Sequence, residues 1–115
     1  MTAIDFQLRV DSSHAPFTIV AVAGELDNSG GPLLRSQLDE MTGCGANEVT
    51  LDLSEVVFID STGLGILIHY HRLLHAEGGR LQVIVTQPNI RRIFEITGID
   101  KVLHLYESLG DALIA

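Results

Sequence analysis

Short apolar runs of strand type alternate with helix-type apolar patterns along this chain, and this alternation limits its possible folds more than any other feature. Phe17 to Ala23 is a nearly continuous apolar run rich in branched residues, typical of a strand buried on both faces. Leu34, Leu38 and Met41 then recur at helical spacing. Because strands separated by helices tend to pair in parallel, we predict an α/β fold with a mixed, mostly parallel sheet covered by helices.

The predicted order of elements is β-β-α-β-α-β-α-(β)-α, which gives four to five strands and about four helices. The first two strands can pair as a hairpin across a polar turn at residues 12–16. The strands are predicted at Phe6–Asp11, Phe17–Ala23, Glu48–Leu53, Leu81–Val85 and Val102–Tyr106, and the helices at Pro32–Gly43, Thr62–Glu77, Pro88–Gly98 and Ser108–Ala115. Domains commonly contain about 100–150 residues, so we assign residues 1–115 to a single domain.

The charge balance makes several classes of partner improbable. Fifteen acidic and seven basic residues give a formal net charge of −8, whereas nucleic-acid-binding proteins carry clustered Lys and Arg. We therefore expect neither nucleic acid nor an anionic membrane surface as a partner. No apolar run approaches the length of about 20 residues that a membrane span needs, and the first residues lack the pattern of a signal peptide. The lone Cys44 cannot form an internal disulfide, which favours a cytoplasmic setting.

The segment Asp60–Gly65, with the sequence Asp-Ser-Thr-Gly-Leu-Gly, is the strongest candidate for a functional site. It joins a predicted strand to a predicted helix. One interpretation is structural: Ser61 or Thr62 caps the helix, and the two glycines allow tight packing. The other is that the helix N-terminus accommodates a phosphorylated hydroxyl, because its free N–H groups and partial positive charge favour an anion. The residues alone leave both interpretations open.

A second candidate is the acidic loop after the second predicted strand, which begins Gly24-Glu25-Leu26-Asp27. Its two carboxylates could take part in acid–base chemistry or bind a cation. The favoured interpretation is structural, because Asp27, Asn28 and Ser29 are typical of turns and helix caps.

Other catalytic or metal-binding patterns are weak. His71 and His75 are four residues apart and share a helix face, but we expect no metal site because the sequence indicates no third ligand. The chain has no P-loop, nucleophile elbow or dinucleotide-binding glycine pattern, so we expect no cofactor and no catalytic residues. A small serine hydrolase with Ser61 as its nucleophile is a minor alternative, since no base or oxyanion arrangement is recognisable.

Four parts of the sequence resemble the signature segments of the STAS domain family, in order and with compatible spacing. They are Gly24–Asp27 followed by Pro32–Arg35, Leu51–Ser54 followed by Phe58–Gly65, Gly78–Leu81, and Ile93–Asp100. Within the family, the chain most resembles the bacterial anti-sigma factor antagonists. The resemblance covers nearly the whole chain, and it implies a STAS-like fold and a regulatory protein rather than an enzyme.

The resemblance also implies a mechanism of partner switching. An unphosphorylated antagonist binds an anti-sigma factor that is also a serine kinase, which frees the sigma factor. The kinase then phosphorylates the antagonist at the position of Ser61, with the neighbouring Thr62 as a second candidate, and a serine phosphatase restores it. The expected partner-binding residues are Glu25, Asp27, Asn28, Asp60, Ser61, Thr62, Leu64 and Gly65, and Ile66 and Tyr70 could extend the surface. The alternative within the family is a subunit of another assembly, such as a stress-sensing complex or a lipid-transport system.

Overall fold

Residues 5–115 are described by the computed structural model, and the first four residues, in which we expect no signal peptide, lie outside it. One sheet contains β1 (Gln7–His14), β2 (Phe17–Leu26), β3 (Glu48–Ile59), β4 (Arg80–Ile84) and β5 (His104–Tyr106), in that spatial order. β1 is antiparallel to β2, and the other neighbouring strands are parallel. The helices are α1 (Gly31–Gly43), α2 (Ser61–Ala76), α3 (Pro88–Thr97) and α4 (Leu109–Leu113), and a short 3-10 turn lies at Ile99–Lys101. The predicted α/β class and element order are confirmed.

Three strands are longer than predicted. β1 continues through polar residues 12–14, which were expected to form a turn. β2 continues through Glu25 to Leu26, because a bulge at Gly24 (φ 101°) shifts the register without ending the pairing with β3. β3 passes Ser54, whose N–H and hydroxyl both donate to the Asp52 carboxylate. Polar and glycine residues at these places interrupt the apolar pattern of the sequence, but the strands continue through them.

The main core lies on one face of the sheet, where α1, α2 and α3 bury their apolar residues. Helix residues Leu34, Leu38, Leu67, Leu74, Ile90 and Phe94 are fully buried in the same cluster as the strand residues Val20, Leu51 and Val83. None of the helices within residues 5–115 is long and apolar enough to cross a membrane.

α2 buries two sides, because it packs against both the sheet and α1. Its second apolar side carries Ile66 and Tyr70, which are 8% and 0% exposed. The Tyr70 hydroxyl donates to the Arg35 carbonyl at 3.1 Å and also to the Asp39 carboxylate, both on α1. The expectation that Ile66 and Tyr70 extend a partner surface was therefore wrong: this face of α2 is used to bind α1.

The opposite face of the sheet is partly covered by α4, which is held by a buried polar contact. Gln82 on β4 is fully buried, its amide nitrogen donates to the Ala112 carbonyl at 2.8 Å, and its amide oxygen accepts from the Thr50 hydroxyl at 3.0 Å. Ser108 caps α4 by accepting from the Asp111 N–H at 3.1 Å. Gln82 thus connects two strands and the last helix.

Replacing Gln82 by alanine should lower the free energy of unfolding by about 2–4 kcal/mol, because the buried Thr50 hydroxyl and Ala112 carbonyl lose their partner. Urea unfolding measures this change. Gln7→Ala is the matched control, since Gln7 is an exposed strand residue and should cost less than about 0.5 kcal/mol. Equal unfolding midpoints for the two variants would contradict this role of Gln82.

Candidate functional site

The two candidate segments of the sequence meet at one edge of the sheet. β2 and β3 are parallel neighbours, and their last residues, Leu26 and Ile59, are paired. Asp27 and Asp60 follow directly, so their backbones leave the sheet side by side, and neighbouring strands lie about 4.8 Å apart. The acidic loop and the start of α2 therefore form a continuous surface.

Gly63 allows α2 to begin unusually close to the end of β2. A Cβ atom at this position would lie 2.4 Å from the Leu26 carbonyl oxygen and 2.8 Å from Cγ1 of Ile59. Only a glycine fits without a backbone shift. Gly65, two residues further along the helix, is different: a Cβ there would meet nothing within 4 Å. The fold of this chain requires a glycine at position 63 but not at position 65.

Asp60, and neither Ser61 nor Thr62, caps α2. Its carboxylate accepts from the Thr62 N–H at 2.9 Å and from the Gly63 N–H at 3.3 Å. The capping interpretation of the two hydroxyl residues was therefore wrong, because the preceding carboxylate already occupies the free N–H groups. Ser61 is the first residue of the helix and is exposed, and its hydroxyl takes part in none of the hydrogen bonds found within residues 5–115.

Asp27 organises the acidic loop. Its carboxylate accepts from the Ser29 N–H at 2.9 Å and from the Gly30 N–H at 3.1 Å. The hydrogen bond from Gly30, and after it the one from Ser29, hold the pKa of the Asp27 carboxyl below its usual value. The predicted turn role of Asp27 is confirmed, whereas the N-cap of α1 is Gly30, which supplies no side-chain cap.

The other predicted partner-binding residues are distributed unevenly between the surface and the core. Glu25, Asn28, Thr62 and Gly65 are exposed on this surface together with Ser61, whereas Asp27 and Asp60 are half-buried. Leu64 is only 7% exposed and belongs to the main core. The inclusion of Leu64 in a partner surface is not supported, because its side chain is buried between α2 and the sheet.

A groove of about 490 Å³ runs along this surface between α1 and α2. Its walls include Ser61 and Gly65 from α2 and Pro32 and Arg35 from α1, and His69 lies further along. Arg35 and His69 were not identified as site residues from the sequence. The signal that could have found His69 is its spacing: residues 61, 65 and 69 are four apart and lie along one side of a helix.

Three of the five histidines form a separate cluster near β5. The ring centroid of His71 lies 6.1 Å from that of His75 and 6.0 Å from that of His104. Burial, and then the neighbouring His104, His75 and Arg72, lower the pKa of His71. Within residues 5–115 no three His, Cys, Asp or Glu side chains are arranged to hold a metal ion.

Comparisons with known proteins agree with this architecture. The model of the STAS domain family matches residues 6–112. The anti-sigma F factor antagonist of Paenibacillus polymyxa is 30% identical over 101 residues, which cover 87% of this chain and 86% of that protein. The crystal structure of an anti-sigma factor antagonist from Mycobacterium paratuberculosis has a TM-score of 0.86 and 33% identity, covering 96% of this chain and 92% of that one. The Bacillus cell fate determinant SpoIIAA in its phosphorylated form has the same fold, with a TM-score of 0.69 and 22% identity over 96% of this chain and 97% of that one.

The two glycines of α2 should respond in opposite ways to alanine. Gly63→Ala should lower the free energy of unfolding by about 1–3 kcal/mol or more, because the new methyl group strikes the Leu26 carbonyl. Gly65→Ala should raise it by about 0.5–1 kcal/mol, because alanine favours a helix interior and meets open space. Chemical unfolding of both variants measures the difference. Destabilisation of similar size in both would contradict the assignment of Gly63 as the packing glycine.

Proposed function

The chain belongs to the STAS domain family, and we propose that it is an anti-sigma factor antagonist controlled by phosphorylation of Ser61. In its unphosphorylated form it binds an anti-sigma factor with serine kinase activity and thereby frees a sigma factor. The kinase modifies Ser61, which ends the binding, and a serine phosphatase removes the phosphate. This exchange uses ATP and transcription regulators, so its setting is the cytoplasm.

The free hydroxyl of Ser61 is the observation that carries this proposal. Ser61 is exposed at the first position of α2, while Asp60 supplies the helix cap. The serine is therefore not needed by the helix, and its hydroxyl is open to the active site of another protein. Thr62 is exposed as well, but its methyl group packs toward α1: a Cβ at Gly31 would lie 3.3 Å from Cγ2 of Thr62. Ser61 is thus the better substrate of the two.

The partner surface comprises Ser61, Thr62 and Gly65 on α2, with Asp60 before them and Glu25, Asp27 and Asn28 beside them. Gly65 supports this choice. A glycine inside a helix costs about 0.5–1 kcal/mol relative to alanine, and packing within this chain does not require it. A partner that approaches the backbone closely gives a reason for its presence. The surrounding carboxylates suit Arg or Lys side chains of that partner.

A binding module fits these residues better than a hydrolase does. A nucleophilic serine needs a base within hydrogen-bonding distance, and no histidine within residues 5–115 forms a hydrogen bond with the Ser61 hydroxyl. The P. polymyxa and M. paratuberculosis relatives are both anti-sigma factor antagonists. They favour this function over that of a STAS subunit in a stress-sensing or lipid-transport assembly.

Phosphorylation would act on the interface rather than on the fold. A phosphoserine carries about −1.5 to −2 charges at neutral pH. The helix dipole stabilises such a group by only about 0.3–1 kcal/mol, so the free energy of unfolding should change little. At the interface, two like charges about 5 Å apart repel by roughly 3 kcal/mol at an effective dielectric constant near 20. A partner that meets Ser61 with a carboxylate or a tight apolar contact then loses about a hundredfold in affinity, since about 1.4 kcal/mol is tenfold.

Variants at position 61 test the switch directly. With a kinase-type anti-sigma factor from the same genome, Ser61→Ala should bind and gain no phosphate, whereas Ser61→Asp should bind about a hundredfold more weakly. Intact mass spectrometry after incubation with ATP should show one phosphate on the parent protein and none on Ser61→Ala. Thr62→Ala is the control and should still be modified. Peptide mapping that places the phosphate on Thr62 or Thr97 would refute the assignment.

The charge of Asp27 can be tested separately from its turn. Asp27→Asn should keep the turn, because the amide oxygen still accepts from Ser29 and Gly30. It should nevertheless weaken binding of the anti-sigma factor by about tenfold, because the charge offered to a basic partner residue is lost. Calorimetric titration measures the affinity, and thermal unfolding checks the fold. An affinity equal to that of the parent protein would remove the Asp27 charge from the interface.

A further inference from the structure

We propose that two copies of this chain associate through the outer edges of their β1 strands, which pair antiparallel with Val10 of one copy opposite Val10 of the other. The two five-stranded sheets then continue into each other around a twofold axis. This inference does not depend on phosphorylation of Ser61. It assigns a surface outside the candidate site, and the partner is a second copy of the chain.

The two edges of the sheet, β1 and β5, differ in length. β5 has three residues, whereas β1 has eight and pairs regularly with β2 over Gln7–Asp11. Within residues 5–115 no strand covers the outer side of β1, so alternate N–H and C=O groups of that stretch point outward. Edge strands commonly avoid pairing by being short or by carrying Lys or Pro, and β1 contains neither residue. β1 is therefore the edge to which another strand can add.

The charges of β1 are self-complementary about Val10. In an antiparallel pair centred on Val10, Arg9 of one copy lies opposite Asp11 of the other, and the twofold axis repeats this contact. Moving the centre to Arg9 or to Asp11 would place two like charges directly opposite each other, which is unfavourable. With one Arg and one Asp, β1 is also neutral in a chain whose formal net charge is −8. Its charge pattern therefore selects both the partner and the register.

Both charged side chains are accessible to a second copy. They are exposed, and they lie on the same side of β1 because they are two residues apart. Arg9 takes part in none of the salt bridges found within residues 5–115. The hydroxyl of Ser13, and after it the Ser13 N–H, hold the pKa of the Asp11 carboxyl below its usual value, so Asp11 is charged at neutral pH. The other Asp11 oxygen lies 3.4 Å from His14, but the side chain is 51% exposed and can accept from a guanidinium.

The opposite side of β1 contributes apolar surface. Leu8 and Val10 lie on the side of the sheet that packs against α1. Val10 and the nearby α1 residue Leu33 are 44% and 56% exposed, and a groove of about 290 Å³ between the two elements is lined by Phe6, Leu8 and Leu33. Pairing centred on Val10 brings the two Val10 side chains together and places Leu8 opposite Ser12 of the other copy. This removes part of the exposed apolar surface from water.

The paired edge leaves the candidate site open in both copies. Val10 pairs with Val20, which precedes the end of β2 at Leu26 by six residues, or about 20 Å of strand. Ser61 lies beyond that end. Because the contact consists of one strand and the apolar surface beside it, its area is at the low end for protein interfaces. We expect a dissociation constant on the order of 10–100 µM.

Exchange of the two charges tests the pairing by sedimentation velocity over a concentration range that spans this dissociation constant. Arg9→Glu and Asp11→Lys should each associate at least about tenfold more weakly than the parent protein, because each places like charges opposite each other twice. An equimolar mixture of the two variants should associate about as strongly as the parent, because each chain then meets opposite charges in the other.

Arg92→Glu is the matched control, because it makes the same change of charge at an exposed position on α3 and should associate like the parent. Thermal unfolding of each variant checks its fold. A parent protein that stays monomeric over the whole range, or a mixture as weak as either variant alone, would overturn the inference.

A cysteine cross-link tests the register independently of charge. In a Cys44→Ser background, which removes the exposed native thiol, Val10→Cys should form a disulfide between chains on mild oxidation. Directly opposite residues of an antiparallel pair have Cα atoms about 4.5–5.5 Å apart, which a disulfide can span. Ser12→Cys is the control, because in this register the two copies of residue 12 lie about 13 Å apart. Equal yields of cross-linked dimer from the two variants would contradict pairing at Val10.

Discussion

The contact between the first turn of α2 and the end of β2 is the constraint on which the candidate site depends. A Cβ at Gly63 would lie 2.4 Å from the Leu26 carbonyl oxygen, so the helix can start here only with a glycine at this position. The contact holds the loop of Asp27 beside Ser61, although the two segments are far apart in the sequence. Because the ends of β2 and β3 are also paired, the acidic loop and the serine lie side by side on one surface.

The contacts that hold α2 in place do not involve the Ser61 hydroxyl, so an added charge there would not disturb them. α2 is held by the sheet on one side and by α1 on the other, through buried residues such as Leu67 and Tyr70. Its N-terminus is capped by Asp60 and not by a hydroxyl residue. A phosphate on Ser61 would therefore break no hydrogen bond that the fold uses. This separation between the packed helices and an unused hydroxyl is what the proposed switch requires, because a phosphate on Ser61 would then act on binding alone.

The sequence was sufficient for the element order and for singling out the two candidate segments that the fold brings together, because hydrophobic periodicity and the strand-to-helix junction are local signals. Prediction from the sequence was wrong or incomplete where contacts between residues distant in the sequence determine burial, strand length or the position of a side chain. The second apolar side of α2, with Ile66 and Tyr70, looked available to a partner, but it is covered by α1. The sequence predicted that the second strand ends before Gly24, because the pairing that continues to Leu26 depends on β3 and cannot be read from the β2 segment alone. Arg35 was missed as a site residue since only the packing of α1 on α2 brings it to the groove of Ser61.

In the proposed switch, phosphorylation of Ser61 alters one surface and leaves the sheet and its packed helices unchanged. A comparison of two-dimensional 1H–15N NMR spectra of the parent protein and of protein carrying phosphoserine at position 61 tests it most directly. We expect chemical shifts to change for the loop around Asp27, the first turns of α2 and the groove-lining part of α1, while the amides of β4 and α3 keep their positions. Shift changes spread through β4 and α3, or a loss of spectral dispersion, would contradict it.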